Sequence, residues 1–330
     1  MTDARPTELE LLERARSGDE DAFARLVAPY RAQLQAHSYR MLGSVHDAED
    51  ALQETLLNAW RALPRFEGRS SLRTWLYTIA TNASLRLIER RPKRVLPVDY
   101  GPAADPHERL GEPLLESVWI EPLLDETVTT TEGFASPDAR YEQRESIELA
   151  FVAALQLLPA RQRAVLILRD VLGFSGAEVA AALETSEAAV YSALQRAHKT
   201  IDAGIPEQSQ QETLRTIADE ELNGIIVRYV DAWERADVDA LAAMLAEDAV
   251  WSMPPRPEWF RGTDAIALFL RTHPLAGPTR LRIAPTRANG QLAFTHDEWN
   301  DEQQRYERHG LHVLALDKNR IAEITVFLDL

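Results

Sequence analysis

The stretch "LPARQRAVLILRDVLGFSGAEVAAALETSEAAVYSALQRAHKTI", Leu158 to Ile201, decides how the chain is read. It reads as a helix, a break at Gly173, a short helix, a turn at Glu184–Ser186 and a last helix to about Lys199. Ser175 and Glu178 supply a capping box for the short helix, since a serine hydroxyl and a glutamate three residues on satisfy each other's backbone N–H groups. Two short helices joined this way form a helix-turn-helix pattern. On the last helix Val190, Leu194 and Ala197 face inward. Ala188, Ser192, Gln195 and Lys199 are left outward, with Tyr191 and Arg196 on the flanks. Small and hydrogen-bonding side chains let a helix sit close in a major groove. Taken in isolation, the segment is also compatible with a plain helical hairpin.

Around it lie 330 residues, 45% hydrophobic and 27% charged, with a net charge of −16. This is the composition of a globular chain long enough for two or three domains. Cysteine is absent, which excludes disulfides, thiolate catalysis and Cys-ligated zinc. No apolar run approaches 18 residues and "MTDARPTELELLERARSG" is charged throughout, so neither a membrane span nor a secretory signal is expected and the protein is expected in the cytoplasm. Charge is unevenly spread: residues 1–95 carry +2, 96–147 carry −9, 148–204 carry −1 and 205–330 carry −8. The second segment, rich in Pro, Gly and acid and without a helical period, reads as an acidic linker whose default role is a passive tether.

Before the linker the sequence is helical. In "SVHDAEDALQETLLNAWRAL", Leu52, Leu56, Ala59 and Leu63 form one face, and steps of 100° put Asp47, Asp50 and Glu54 on an opposite, exposed stripe. That stripe is either a solvated surface or a docking face for a basic partner. The next stretch, "FEGRSSLRTWLYTIATNASLRLIERRPKR", holds seven Lys or Arg and one acid, Glu89, between Arg69 and Arg94. Aromatics beside cations suit unstacked bases, because each base offers a π-face and its phosphate a charge. The bland reading makes Trp75 and Tyr77 core and the arginines a helix end favoured by the dipole.

"DAEDALQETLLNAW", "RFEGRSSLRTWLYTIATNASL" and the Leu158–Ala197 stretch, in this order, resemble regions 2 and 4 of extracytoplasmic-function sigma factors, the promoter-recognition subunits of bacterial RNA polymerase. The resemblance covers most of residues 10–200 outside the linker. It implies that Asp47, Asp50, Gln53 and Glu54 dock on the polymerase's largest subunit. Phe66, Arg69, Ser70, Arg73, Trp75, Tyr77, Asn82, Arg86, Arg90 and Arg91 would open and hold the minus-ten element. Ser186, Ala188, Tyr191, Ser192, Gln195, Arg196 and Lys199 would read the minus-thirty-five element. Tyr191 and Ala193 stand where many family members carry basic residues, and His198 stands where Arg is frequent. Overall acidity fits a protein with weak affinity for DNA until polymerase supplies most phosphate contacts.

From about Glu212 the pattern changes to helices followed by alternating strands with turns at Asn289-Gly290 and Asp317–Asn319, an α+β arrangement with helices on one face of a curved antiparallel sheet. "VDAWERADVDALAAMLAEDAVW" and "RIAEITVF" resemble the SnoaL-like domain, a cone shared by isomerases, cyclases and many non-enzymes, over nearly all of 215–329. Such cones enclose a pocket, for which Tyr229, Trp233, Trp251, Trp259, His296, Glu298 and His309 are candidates; spacing alone pairs none of them for catalysis.

The fold expected is multidomain: an all-α region 2 bundle (1–95), the linker (96–147), an all-α region 4 helix-turn-helix (148–204) and an α+β SnoaL-like cone (212–330). The function expected is a sigma factor, not an enzyme, with no metal and no cofactor, modulated in cis by its tail. Its expected partners are core RNA polymerase through the beta-prime and beta subunits, promoter DNA, and a small-molecule ligand of the tail, with no membrane. Two other readings stand beside it: a stand-alone helix-turn-helix regulator with an effector-sensing tail, and a bifunctional protein whose tail is an isomerase or cyclase.

Overall fold

The computed structural model describes residues 7–114, 118–127, 147–201, 208–277 and 280–329. Helices α1 (Glu8–Arg16), α2 (Glu20–Val27), α3 (Arg31–Leu42), α4 (Val45–Ala62) and α5 (Leu72–Ile88) come first, then a four-residue α6 (Pro97–Tyr100). After them come α7 (Leu149–Leu157), α8 (Ala160–Leu166), which runs on as a π-helical turn to Val171, α9 (Gly176–Ala182) and α10 (Glu187–Ile201). Local chemistry sets the boundaries. Thr7, Asp19, Ser44 and Ser71 accept the orphan N–H groups that open α1, α2, α4 and α5, and Gly43, at φ +68°, ends α3 in the left-handed conformation. The Ser175–Glu178 capping box opens α9 as read from sequence. Among the described residues no helix is long and apolar enough to cross a membrane.

The chain forms two compact units. The first contains the described residues up to Pro92 and those from Ala154 to Ile201, so the region 2 helices and the helix-turn-helix share one body. Arg163, 4% exposed, donates from Nη1 to the Met41 carbonyl and the Gln156 side chain, and from Nη2 to the carbonyls of Gln156 and Leu158, both at 3.2 Å. It thus ties the end of α3 to the α7–α8 corner. Beneath it, His37 Nε2 meets Thr81 Oγ1 at 2.9 Å, and burial holds the His37 imidazole down to about 3, neutral at ordinary pH.

The second unit contains Lys93–Asp125, residues 147–153 and the described residues from 208 onward. Its C-terminal part has α11 (Gln210–Thr216), α12 (Asp219–Glu234), α13 (Val238–Met244), β1 (Leu245–Ser252), β2 (Trp259–Arg261), α14 (Thr263–Thr272), β3 (Leu281–Ala288), β4 (Gln291–Asn300), β5 (Arg305–Asp317) and β6 (Arg320–Leu328). The six strands lie in the order β2-β1-β6-β5-β4-β3. The sheet is mixed rather than antiparallel, because β1 pairs parallel with β6. The hairpin pattern of β3 to β6 is antiparallel throughout, but β1 comes from before the meander and joins its far edge, where no short turn constrains direction.

The described part of the segment read as a passive tether, as far as Asp125, packs as part of this second unit. Trp119, Ile120 and Leu123 are buried. Trp259 Nε1 donates to the Gly101 carbonyl at 2.8 Å, its own carbonyl accepts from Ala104 N–H at 2.8 Å, and Arg256 donates to the Gly111 carbonyl at 2.6 Å. The apolar residues scattered through an acidic, Pro-rich stretch carry no period, so their burial could not be read from spacing.

Gly310 lies opposite His296 where β4 bulges, and a Cβ there would stand 2.5 Å from the Phe327 carbonyl oxygen of β6. Backbone cannot give way as a flexible side chain can. Gly310→Ala is therefore expected to destabilise the C-terminal unit by about 1–3 kcal/mol, measured as a lowered midpoint in urea unfolding of the full chain.

Candidate polymerase and promoter interface

Charge, helix phase and burial together place the predicted residues. On α4, Gln53 and Leu57 are exposed and Asp50 and Glu54 partly so. Asp47 departs from the expectation: it is 1% exposed, its carboxylate 2.5 Å from Arg91 Nη1. Asp50 lies 3.6 Å from Arg91 and Glu54 2.7 Å from Arg86. The acidic stripe and the basic stretch therefore meet along the α4–α5 groove. Helical phase gives the angle of a stripe about its own axis and not the neighbour that covers its edge, so Asp47 is an internal ion-pair partner rather than part of an open face.

The minus-ten candidates divide in the same way. Arg69, Ser70, Arg86 and Arg90 are exposed, although Arg69 pairs with Glu67 at 2.5 Å and Arg86 with Glu54. Phe66 is buried with its ring 4.8 Å from Trp75, and Trp75 and Asn82 are half-buried. Tyr77 is 1% exposed and packs edge-on to His37 at 5.3 Å and to Phe174 at 5.6 Å, so its ring is core here and does not face a nucleic-acid strand. Arg73 lies over the rings of Tyr77 and Phe174 at 5.2 and 4.7 Å and donates to the Leu172 carbonyl at 3.1 Å; Thr74 donates to Glu178 at 3.1 Å. Phe174 and Glu178, either side of the α9 start, are partners that sequence reasoning missed. They lie about a hundred residues away along the chain, and no local pattern reports a contact of that separation.

In the helix-turn-helix, Glu184 takes φ +49° in the turn and the Ser186 hydroxyl accepts from Ala189 N–H. Val190, Ala197 and Ile201 are buried, while Ser186 just before α10 and Ala188, Tyr191, Ser192, Gln195, Arg196 and Lys199 on it are all exposed. His198 pairs with Asp170 at 2.6 Å.

In the C-terminal unit the structure brings Tyr229, Trp233, Trp251, His296, Glu298 and His309 together around His312, a residue the sequence reading did not select. Tyr229 Oη meets His312 Nδ1 at 2.8 Å, His312 Nε2 meets His296 Nδ1 at 3.1 Å, and His296 Nε2 faces Glu298 Oε1 at 3.5 Å, with His309 Nε2 at 3.7 Å from the same oxygen. Each bond of this chain joins one donor to one acceptor, so the tautomer of a neutral His312 sets the roles of Tyr229 Oη and His296 Nδ1 together. Burial, with His309 adding repulsion, pushes His296 down to about 4; burial and the neighbouring histidines hold His312 well below the ordinary imidazole range, and burial pushes Tyr229 up. Trp259 does not join this cluster, being turned to Gly101 in the linker segment. The His312 signal was the strand alternation of β5, where His312 pairs with Phe294.

Three family models match the chain: Sigma-70 region 2 over residues 26–94, Sigma-70 region 4 over 148–201, and a SnoaL-like domain over 226–324. The ECF RNA polymerase sigma factor SigG of Mycobacterium tuberculosis is 43% identical over 317 residues, 95% of this chain and 82% of that protein. The chain belongs to the extracytoplasmic-function sigma factors. The RNA polymerase sigma-H factor of Pseudomonas aeruginosa is 30% identical over 59% of this sigma factor and 92% of its own length. The crystal structure of the M. tuberculosis sigma factor SigJ shares the fold, with TM-score 0.55, 20% identity and coverage of 93% and 96% of the two chains. This sigma factor is accordingly a promoter-specific initiation factor that binds RNA polymerase, and not an enzyme.

The histidine chain gives it a pH signature. Below pH ~6.5 the unfolded histidines take up protons that the buried neutral ones refuse, so stability falls as pH drops from ~6.5 toward 4, by up to ~1.4 kcal/mol per pH unit for each histidine. His37 acts in the same direction, while Glu323, raised by burial, acts in the opposite one. His296→Gln should therefore lose about 2 kcal/mol less stability than wild type between pH 7 and pH 5, read from urea unfolding at the two pH values.

Proposed function

We propose that this sigma factor meets the beta-prime subunit through Asp50, Gln53 and Glu54 on α4 and opens the minus-ten element with the exposed and half-buried residues of the Phe66–Arg91 stretch. The beta subunit is the further polymerase contact, the exposed face of α10 reads the minus-thirty-five element, and the SnoaL-like domain tunes these activities in cis. One observation carries the regulatory part: Lys93–Asp125, the first part of the connection between regions 2 and 4, packs in the same compact unit as the SnoaL-like domain. A domain that binds the connection between two DNA-binding regions biases how far apart they can act. A small molecule would act in the interior around Trp251, whose buried Nε1–H has no acceptor among the described residues.

Deleting residues from 206 onward is the test of regulation in cis. Transcription from a matched promoter with purified core enzyme should change clearly; identical activity, with turnover of a carbonyl substrate by the tail, would favour the enzymatic alternative. Asp50→Lys should weaken recovery of core enzyme in a pull-down while costing the fold within about 0.5 kcal/mol. Asn82→Ala should spare core binding and reduce thymine reactivity to permanganate in open complexes, whereas Arg196→Ala should lower affinity for the upstream element.

A further inference from the structure

The hairpin turn between β3 and β4 is not an exposed tip. Asn289, at φ +54°, is 0% exposed, although an Asn-Gly turn ordinarily projects into water. Three separate stretches of chain cover it. Both backbone groups of Leu123 bond this residue: Asn289 N–H donates to the Leu123 carbonyl at 2.7 Å, and Leu123 N–H donates to the side-chain Oδ1 of Asn289 at 2.9 Å. The same side chain donates from Nδ2 to the Ile147 carbonyl at 2.8 Å. Gly290 N–H donates to Asp125 Oδ1 at 2.9 Å, and Leu149 N–H donates to Gln291 Oε1 at 2.8 Å. The Gln211 side chain donates to the Gly290 carbonyl, and the buried Glu148 carboxylate accepts the N–H groups of Gln210 and Gln211 at 2.9 and 2.8 Å.

We propose that the Asn289–Gln291 turn is a clasp on the connection between regions 2 and 4. One asparagine side chain holds Leu123 and Ile147, with 23 residues of sequence between them, within a hydrogen bond of the same group. A chain of that length spans up to ~80 Å when released, so the clasp sets the reach available to region 4 once region 2 is fixed. The bonds are buried backbone-to-side-chain bonds, and a turn that merely closed a hairpin would need none of them. Asn289, Gln291 and Glu148 are positioning residues in this device. The inference rests on regulation in cis and identifies the contact through which it acts.

The experiment uses the full chain with two variants. Asn289→Gly keeps the left-handed backbone and removes the side chain; Glu148→Gln alters the linker side and leaves the hairpin sequence intact. Hydrogen exchange should show the Leu123 amide of Asn289→Gly exchanging at least about tenfold faster, with β4–β5 amides unchanged as the mark of a folded cone. The Gln210 and Gln211 amides should respond in the same way in Glu148→Gln. Transcription by either variant should move in the same direction as the deletion from 206. Unchanged exchange at these amides overturns the clasp. Faster exchange with unaltered transcription, when the deletion does alter it, overturns the clasp as the regulatory contact and leaves regulation in cis standing; no change in any of the three removes both.

Discussion

A single buried guanidinium unites the helical half of this sigma factor. Arg163 takes carbonyls from the end of α3 and from the α7–α8 corner, so one cation satisfies acceptors that two helix ends would otherwise bury unpaired. Burial lowers its pKa only to about 10, and the charge persists at neutral pH because carbonyl dipoles replace the lost water. With regions 2 and 4 in one body, Phe174 and Glu178 come against α5, and Tyr77 becomes core. A side chain assigned to promoter DNA by its place in a motif is here occupied within the protein.

The same economy governs the surface charge. The stripe on α4 and the arginines of α5 each suggest a partner of opposite sign when read alone, and in the fold they serve one another through Arg86 and Arg91. The exposed and half-exposed pairs among them, Arg86 with Glu54 and Arg91 with Asp50, contribute little to stability, on the order of 0–1 kcal/mol each. They do fix which cations and carboxylates remain open to polymerase or phosphate, leaving Gln53, Leu57 and Arg90 as the unobstructed positions around them.

In the C-terminal half the decisive feature is that Lys93–Asp125, the first part of the connection between the two DNA-binding regions, belongs to the SnoaL-like unit. Trp119, Ile120 and Leu123 are buried there, and Asn289 in the β3–β4 turn bonds both Leu123 and Ile147 of the connection. A regulator that holds a tether needs no large surface against the domains it regulates, since restricting chain reach changes their effective concentration for one another.

The sequence by itself determined the local elements and the family. Capping residues, helical phase on α4 and α10, the Asn-Gly turn and the strand alternation of β3 to β6 are all short-range rules, and each acts within a few residues. They located the helix-turn-helix and the α+β tail and left the α10 face outward, while the two sigma regions came from the resemblance of three motifs in order. Tertiary structure alone decided the rest: that Asp47 turns inward to Arg91, that Tyr77 packs on Phe174, that β1 joins β6 in parallel, that His312 links Tyr229 to His296, and that Asn289 closes on Leu123 and Ile147. Each is a contact between residues at least about fifteen and up to about 170 positions apart. The physical reason is that such partners are selected by packing and by satisfying buried polar groups, which depend on where the chain returns and leave no period in the sequence.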